Sequence, residues 1–326
     1  MTRFFDTQWL IRRSCQVVLA VALPVMAFGF LQYTILPDDI LGHFGYSREN
    51  GVLSSFHIDN KPDLERVTST LREPNVYGAY LLIIISIVSA LILKSRNRQV
   101  RNTAIGLLGL TVLNLYFTFS RSAWVGGAVS VLFFGYWSIL RGLDKKIILR
   151  VLVVGSVIAS LCLASLFVAR NTYFVKNVIF HADESTVLED PNELRLRFFR
   201  ESIELTIANP IGYGPGTAGL VSIRNDEQGV VLNENYYLQI AHEVGVLGLV
   251  LFIAILALAF IRLISRLEKG WFYIALTMSL IGLSFTNLLV HIWPSEAVTY
   301  TWWGLAGLGY FYVIPQKFRP KKSQKT

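Results

Sequence analysis

Long apolar runs constrain this chain before anything else does. Eight stretches of 17 to 23 residues are almost wholly apolar: Cys15–Leu36, Val76–Leu93, Thr103–Phe119, Ala123–Leu140, Ile147–Ala169, Val244–Ile261, Trp271–Val290 and Ala297–Ile314. A helix of about 20 apolar residues matches the hydrocarbon thickness of a bilayer. In lipid the backbone must satisfy its own hydrogen bonds, and a helix does so. The runs therefore predict an all-α integral membrane protein with about eight transmembrane helices. Composition agrees: 53% of the 326 residues are apolar and 16% charged, where a soluble domain carries about a quarter charged. Only Ser120, Arg121 and Ser122 separate the third and fourth runs, so these two should form a tight hairpin.

The net charge of +8 would, in a soluble protein, point to nucleic acid. In a membrane protein the side on which each Lys or Arg falls matters more than the total. The N-terminus, Lys94–Arg101, Arg141–Arg150, Arg262–Lys269 and the C-terminal tail together hold 19 basic residues and three acids; the remaining segments hold 11 and 19. The sequence thus predicts cytoplasmic termini, outward acidic loops and no nucleic-acid partner. The first run is too long for a signal-peptide core and lacks a small-residue cleavage site after it, so it reads as a retained helix. Cys15 and Cys162 both fall in apolar runs, which offers neither a disulfide nor a thiolate metal site. The basic tail Lys317–Lys325 reads as an orientation signal near anionic headgroups.

The expected organisation is a first helix and outward loop over 1–75, a membrane domain over 76–290 that includes an outward loop 170–243, and a last helix and basic tail over 291–326. The long loop should carry a helix from Asn192 to Ala208, begun at Pro191 and stopped by Asn209-Pro210. Its Leu194, Phe198, Phe199, Ile203 and Ile207 lie mostly at helical spacing, interleaved with Arg195, Arg197 and Arg200, as in a helix lying on a membrane surface. Apart from Arg150, in the first turn of the fifth run, the eight runs contain no Asp, Glu, Lys or Arg. Proton-coupled carriers need ionisable groups there, so this class is disfavoured, while a passive channel or lipid carrier stays open. Asn114 and Asn287 read as hydrogen-bonding contacts between helices.

Four polar segments recur around these runs. Arg66-Val67-Thr68-Ser69-Thr70-Leu71-Arg72-Glu73-Pro74-Asn75 precedes the second. Ser120-Arg121-Ser122-Ala123-Trp124 caps the hairpin. Arg195-x-x-x-Phe199 leads to Asn209-Pro210-Ile211-Gly212-Tyr213-Gly214-Pro215-Gly216, whose glycines permit either a phosphate cradle or a plain turn. Asn233-Glu234-Asn235-Tyr236 runs on to His242-Glu243-Val244-Gly245.

In this order, from about Arg66 to about Ile261, the segments resemble the O-antigen ligase and Wzy-type polysaccharide polymerase superfamily. The resemblance implies a bacterial cytoplasmic-membrane glycosyltransferase without metal or cofactor. Such an enzyme passes a glycan from undecaprenyl diphosphate to a glycan or lipid acceptor on the outer face. By the match, Arg121 and Arg195 stabilise the departing diphosphate, with Arg66, Arg72 and Arg197 as further cations and Asn235 at the substrate. Glu234 stands where ligases carry His before Asn, which favours the polymerase branch, and it would accept the acceptor's proton; His242, eight residues on, is the alternative base. Family members usually span ten to twelve times against eight here, so assembly proteins are conceivable partners. A transporter or lipid carrier, and a non-catalytic subunit of a polysaccharide assembly complex, are the competing readings.

Overall fold

The structure, a computed structural model, describes residues 7–47, 49–50, 52–58, 64–136, 172, 191–219, 222 and 234–311. Among them the helices are α1 (Thr7–Thr34), α2 (Pro74–Lys94), α3 (Arg98–Phe117), α4 (Arg121–Gly135), α5 (Pro191–Ala208), α6 (Tyr236–Ile264), α7 (Trp271–Thr286) and α8 (Glu296–Phe311). Among the described residues there is no sheet; extended pairing is limited to one antiparallel bridge between His57 and Glu65. Among the described residues three helices are long and apolar enough to cross a membrane: Gln8–Thr34, Pro74–Leu93 and Tyr236–Ile264. Trp271–Thr286 is apolar but shorter. The expected span Ile147–Ala169, the end of Ala123–Leu140, Cys162 and the tail Lys317–Lys325 lie outside the described residues.

Local caps move several boundaries from where hydropathy alone set them. Asn97 accepts hydrogen bonds from the Gln99 and Val100 amides, so α3 starts five residues ahead of the apolar run. Asn235 does the same for Tyr237 and Leu238, and α6 starts eight residues early. Such caps satisfy amides that have no partner inside the helix. At the other end, Asn287 Oδ1 accepts from the Ile292 and Trp293 amides. That turns the chain and stops α7 at Thr286, four residues before the apolar run ends.

Helix α2 is the centre of the bundle, packed by α3, α4 and α7, and nearly every side chain from Val76 to Ala90 is buried. A helix apolar all round has to be surrounded in this way. Small residues set the closest approaches. A Cβ on Gly126 would meet the Gly282 carbonyl oxygen at 2.8 Å, and one on Gly78 would meet Ala123 at 2.6 Å. Ser130 Oγ donates to the Met278 carbonyl across the α4–α7 contact at 2.9 Å. The Tyr77 hydroxyl donates to Asn114 Oδ1 at 2.8 Å, the helix-to-helix contact expected of that amide. Asn287 instead serves its own turn and, through its carbonyl, the first amide of α6.

Helix α6 is as apolar as α2 yet largely exposed, as a lipid-facing helix would be. Inside it Gly245 leaves the helical region (φ 83°, ψ 174°). The Asn209–Gly216 segment lies against that break. Val246 donates to the Pro210 carbonyl, while the His242 and Glu243 carbonyls accept from Tyr213 and Gly214 at 2.8 and 3.0 Å. A Cβ on Gly245 would come within 2.6 Å of the Pro210 oxygen, and one on Gly212 within 2.6 Å of the Gly245 nitrogen. The glycines thus lock a loop onto a broken helix, backbone against backbone.

Candidate functional site

Helices α2, α4 and α6 all begin at one end of the bundle, where α7 finishes, and a cavity of about 510 Å³ opens there. Its polar lining is Arg66, Asn75, Arg121, Ser122, Glu234 and Asn235. These come from three stretches of chain widely separated in sequence. Its apolar wall combines Leu288, Leu289 and Val290 with Phe198 and Phe199 of α5. Helix N-termini carry partial positive charge, so three of them converging here favour an anion before any side chain is counted.

Arg66 is held in place. Its Nε donates to the Thr118 carbonyl at 3.1 Å and its terminal nitrogen to Asn75 Oδ1 at 2.9 Å. Asn75 Oδ1 also accepts from Ser120 Oγ at 2.9 Å. The Thr118 carbonyl lies in the three-residue α3–α4 turn, where Phe119 has φ 46°, a conformation that costs a non-glycine residue on the order of 1 kcal/mol. Trp124 Nε1 donates to the Leu115 carbonyl at 2.9 Å and closes the turn from the α4 side. Trp124 therefore fastens the hairpin as well as lying near its rim. The Arg66 segment is fixed on its far side by α1: Gln32 accepts from the Ser69 amide at 2.9 Å, and Ser69 Oγ donates to the Val25 carbonyl. Ser69 itself has φ 53°.

Arg121 is the first residue of α4, after the N-cap Ser120. Its chain position follows from the turn, and it sits part-exposed on the cavity wall. Glu234 and Asn235 enter from α6. The Asn235 side chain caps that helix and donates to the Leu288 carbonyl at 3.0 Å. Much of its hydrogen-bonding capacity therefore goes to joining α6 to the end of α7, although it was expected at the substrate.

Other expected site residues lie elsewhere. Arg72 is exposed in the turn before α2, away from the cavity. Arg197 is exposed on α5, its guanidinium 5.8 Å from the Phe198 ring centre. Arg195 belongs to α5, and its side chain lies outside the described residues. His242 is buried, 2% exposed, and stacked on Tyr213 with ring centres 4.5 Å apart. It packs where the glycine segment meets α6 and does not line the cavity. Among the described residues its Nδ1 has no hydrogen-bond partner.

Three contributors were not singled out from sequence: Asn75, Ser122 and the Leu288–Val290 part of the apolar wall. Asn75 stood in plain view inside Pro74-Asn75, and its capacity to bridge Arg66 and Ser120 could have marked it. Leu288–Val290 carried no signal, since they read as the end of a span. Helix α5, expected on the membrane surface, packs on α6 and turns Leu196, Phe198 and Phe199 toward the cavity.

Beside the cavity, burial and the nearby Asp38 push the Glu65 carboxyl up to about 7, opposed by a hydrogen bond from Gln32. Among the described residues no three His, Cys, Asp or Glu side chains gather in a way that could hold a metal ion.

A search of curated proteins finds no match. The family described as O-antigen ligase matches residues 105–253. With the apolar helices, the match makes this an integral membrane protein, and the family points to a glycosyltransferase-like ligase or polymerase acting on a lipid-linked glycan. The match covers the α3–α4 hairpin, Arg121, α5 and the first part of α6, and over those residues the chain is similar to the O-antigen ligase and Wzy superfamily.

Proposed function

We propose that the protein transfers a glycan from undecaprenyl diphosphate to an acceptor hydroxyl, and that the cavity at the start of α2, α4 and α6 is where this occurs. The reading further takes this cavity to face outward from a bacterial cytoplasmic membrane, with both termini inside. One observation carries it: Arg66, Arg121 and Glu234 arrive from distant segments onto one cavity that also has an apolar wall. A polyprenyl diphosphate sugar needs both, cations for its phosphates and a greasy surface for its chain.

In the transfer, the acceptor oxygen bonds to the anomeric carbon as the carbon–oxygen bond to the diphosphate breaks. Glu234 takes the hydroxyl proton. Arg121 and Arg66, together with the converging helix N-termini, stabilise the negative charge that builds on the departing diphosphate. A fixed donor of this kind contributes about 10²–10³ in rate, and a positioned base about 10²–10⁴. Arg195, on the helix that closes the cavity, is assigned to the same diphosphate. The role left for His242 is support of the α6 break.

The test is a deletion strain complemented with Arg121→Ala, Arg195→Ala or Glu234→Ala. Loss of long-chain surface polysaccharide, with the protein still inserted, is expected for each. Normal chain lengths in all three would overturn the assignment. Mass spectrometry of the lipid-linked intermediates separates the two branches: single repeat units accumulate if the enzyme polymerises, full-length chains if it ligates.

A further inference from the structure

About 30 Å along α2 from the first cavity (at about 1.5 Å per residue), a second one of about 680 Å³ opens between α1, α2 and α3. Its mouth carries Arg12, Gln16, Arg96 and Gln99, with Trp271 at the edge; its inner wall is apolar, with Leu19 and Leu91 facing it. No acidic residue lines it. Arg12 also borders a smaller adjoining cavity of about 170 Å³ together with Lys269. Neither Arg12 nor Arg96 has a hydrogen-bond, ion-pair or ring partner among the described residues, in contrast to the pinned Arg66. The cavity adjoins the start of α3, where the partial charge is positive. Helix α1 leans on α3 and α8 and touches α2 only lightly, which leaves the gap.

A polar cationic rim above a greasy slot, at the end of the bundle where the basic segments around Arg12, Arg96 and Lys269 meet, matches one chemistry. We infer that this cavity binds an anionic phospholipid, its phosphate between Arg12 and Arg96 and the upper part of an acyl chain between α1 and α3. Basic pockets between membrane helices hold such headgroups, and an indole such as that of Trp271, in the cavity lining, favours the membrane–water interface. The site is distinct from the glycan-transfer cavity and does not depend on its assignment.

Trp271 supplies a reporter. The full chain in detergent is titrated with phosphatidylglycerol or phosphatidylcholine carrying brominated acyl chains, and tryptophan quenching is followed. Because each arginine near an anionic lipid contributes about five-fold in affinity, phosphatidylglycerol should half-saturate at a concentration roughly 30-fold below phosphatidylcholine. Trp271→Phe should remove most of the saturable quenching. The variant R12Q/R96Q should lose the preference, and Arg96→Gln alone, an exposed position, should lose about five-fold of it even if the double variant does not accumulate. Equal affinity for the two lipids, or an unchanged preference in both variants, would overturn the inference. So would displacement of the lipid by glycerophosphate at equal concentration, which would make this a plain anion site.

Discussion

The two ends of the bundle each present arginines beside an apolar wall, but they hold them differently. At the α2–α4–α6 end, Arg66 is tied to a carbonyl and to Asn75, and a carboxylate, Glu234, stands in the same lining. At the opposite end, Arg12 and Arg96 are exposed and face amides, with no acid in the lining. A fixed cation beside a carboxylate suits a reaction, in which charge must be met at a set place. Exposed cations without an acid beside them suit adhesion to a headgroup. Arginine content alone would not separate the two ends; the partners do.

The sharpest way to break this contrast is at the reacting groups. Arg121→Ala and Glu234→Gln should each lower glycan transfer by about 10²-fold or more, read as loss of polymer from lipid-linked donor. R12Q/R96Q should leave transfer by the purified enzyme nearly unchanged, since neither arginine lines the cavity that holds the reacting groups. If the two sets of variants cost transfer equally, the ends are not functionally distinct.

A smaller effect should come from the bridge behind the first cavity. Asn75→Ala deprives Arg66 and Ser120 of a shared acceptor and should destabilise by about 1–3 kcal/mol, seen as a lower melting temperature in detergent. Transfer should fall with it while lipid preference at the other end stays unchanged. Gly245→Ala tests the broken helix: a Cβ there meets the loop backbone, and its φ of 83° with ψ of 174° is a conformation that essentially only glycine adopts, so about 1–3 kcal/mol should be lost to the backbone alone.

The smallest signal is pH-dependent. With its carboxyl raised to about 7 from an ordinary 4.5, Glu65 binds its proton more tightly folded than unfolded. Its contribution to stability is therefore fullest below about 4.5 and declines as pH rises to about 7, where the ion must be buried. Melting temperatures of the wild type and of Glu65→Gln across that range should converge at low pH and part at neutral pH, with the variant the more stable. Parallel curves would remove the group from consideration.

Much of the site was legible as segments and little of it as a place. Arg66, Arg121 and Glu234 stand out in sequence because each is a charge beside an apolar run, and lipid makes such charges costly unless they serve a purpose. Arg72 and Arg197 stand out for the same reason, and sequence could not tell that they point elsewhere. Asn235 looked like a substrate contact but is also an Asn at a helix start, and capping uses the same polar atoms. The glycines of Gly212–Gly216 advertised positive φ correctly; that they serve a helix break 30 residues on was visible only once Gly245 was seen to lie against them.

By itself, the sequence determined that this chain is helical and belongs in a membrane, because the length and apolarity of a run are properties of the run alone. It also set the helix starts that a single Asn or Ser caps. The tertiary structure decided which apolar helix is central and which is largely exposed, since burial depends on neighbours; α2 and α6 are alike in composition and opposite in surroundings. It also decided which arginines share a cavity, because three segments far apart in the chain meet only after α2, α4 and α7 pack through their small residues.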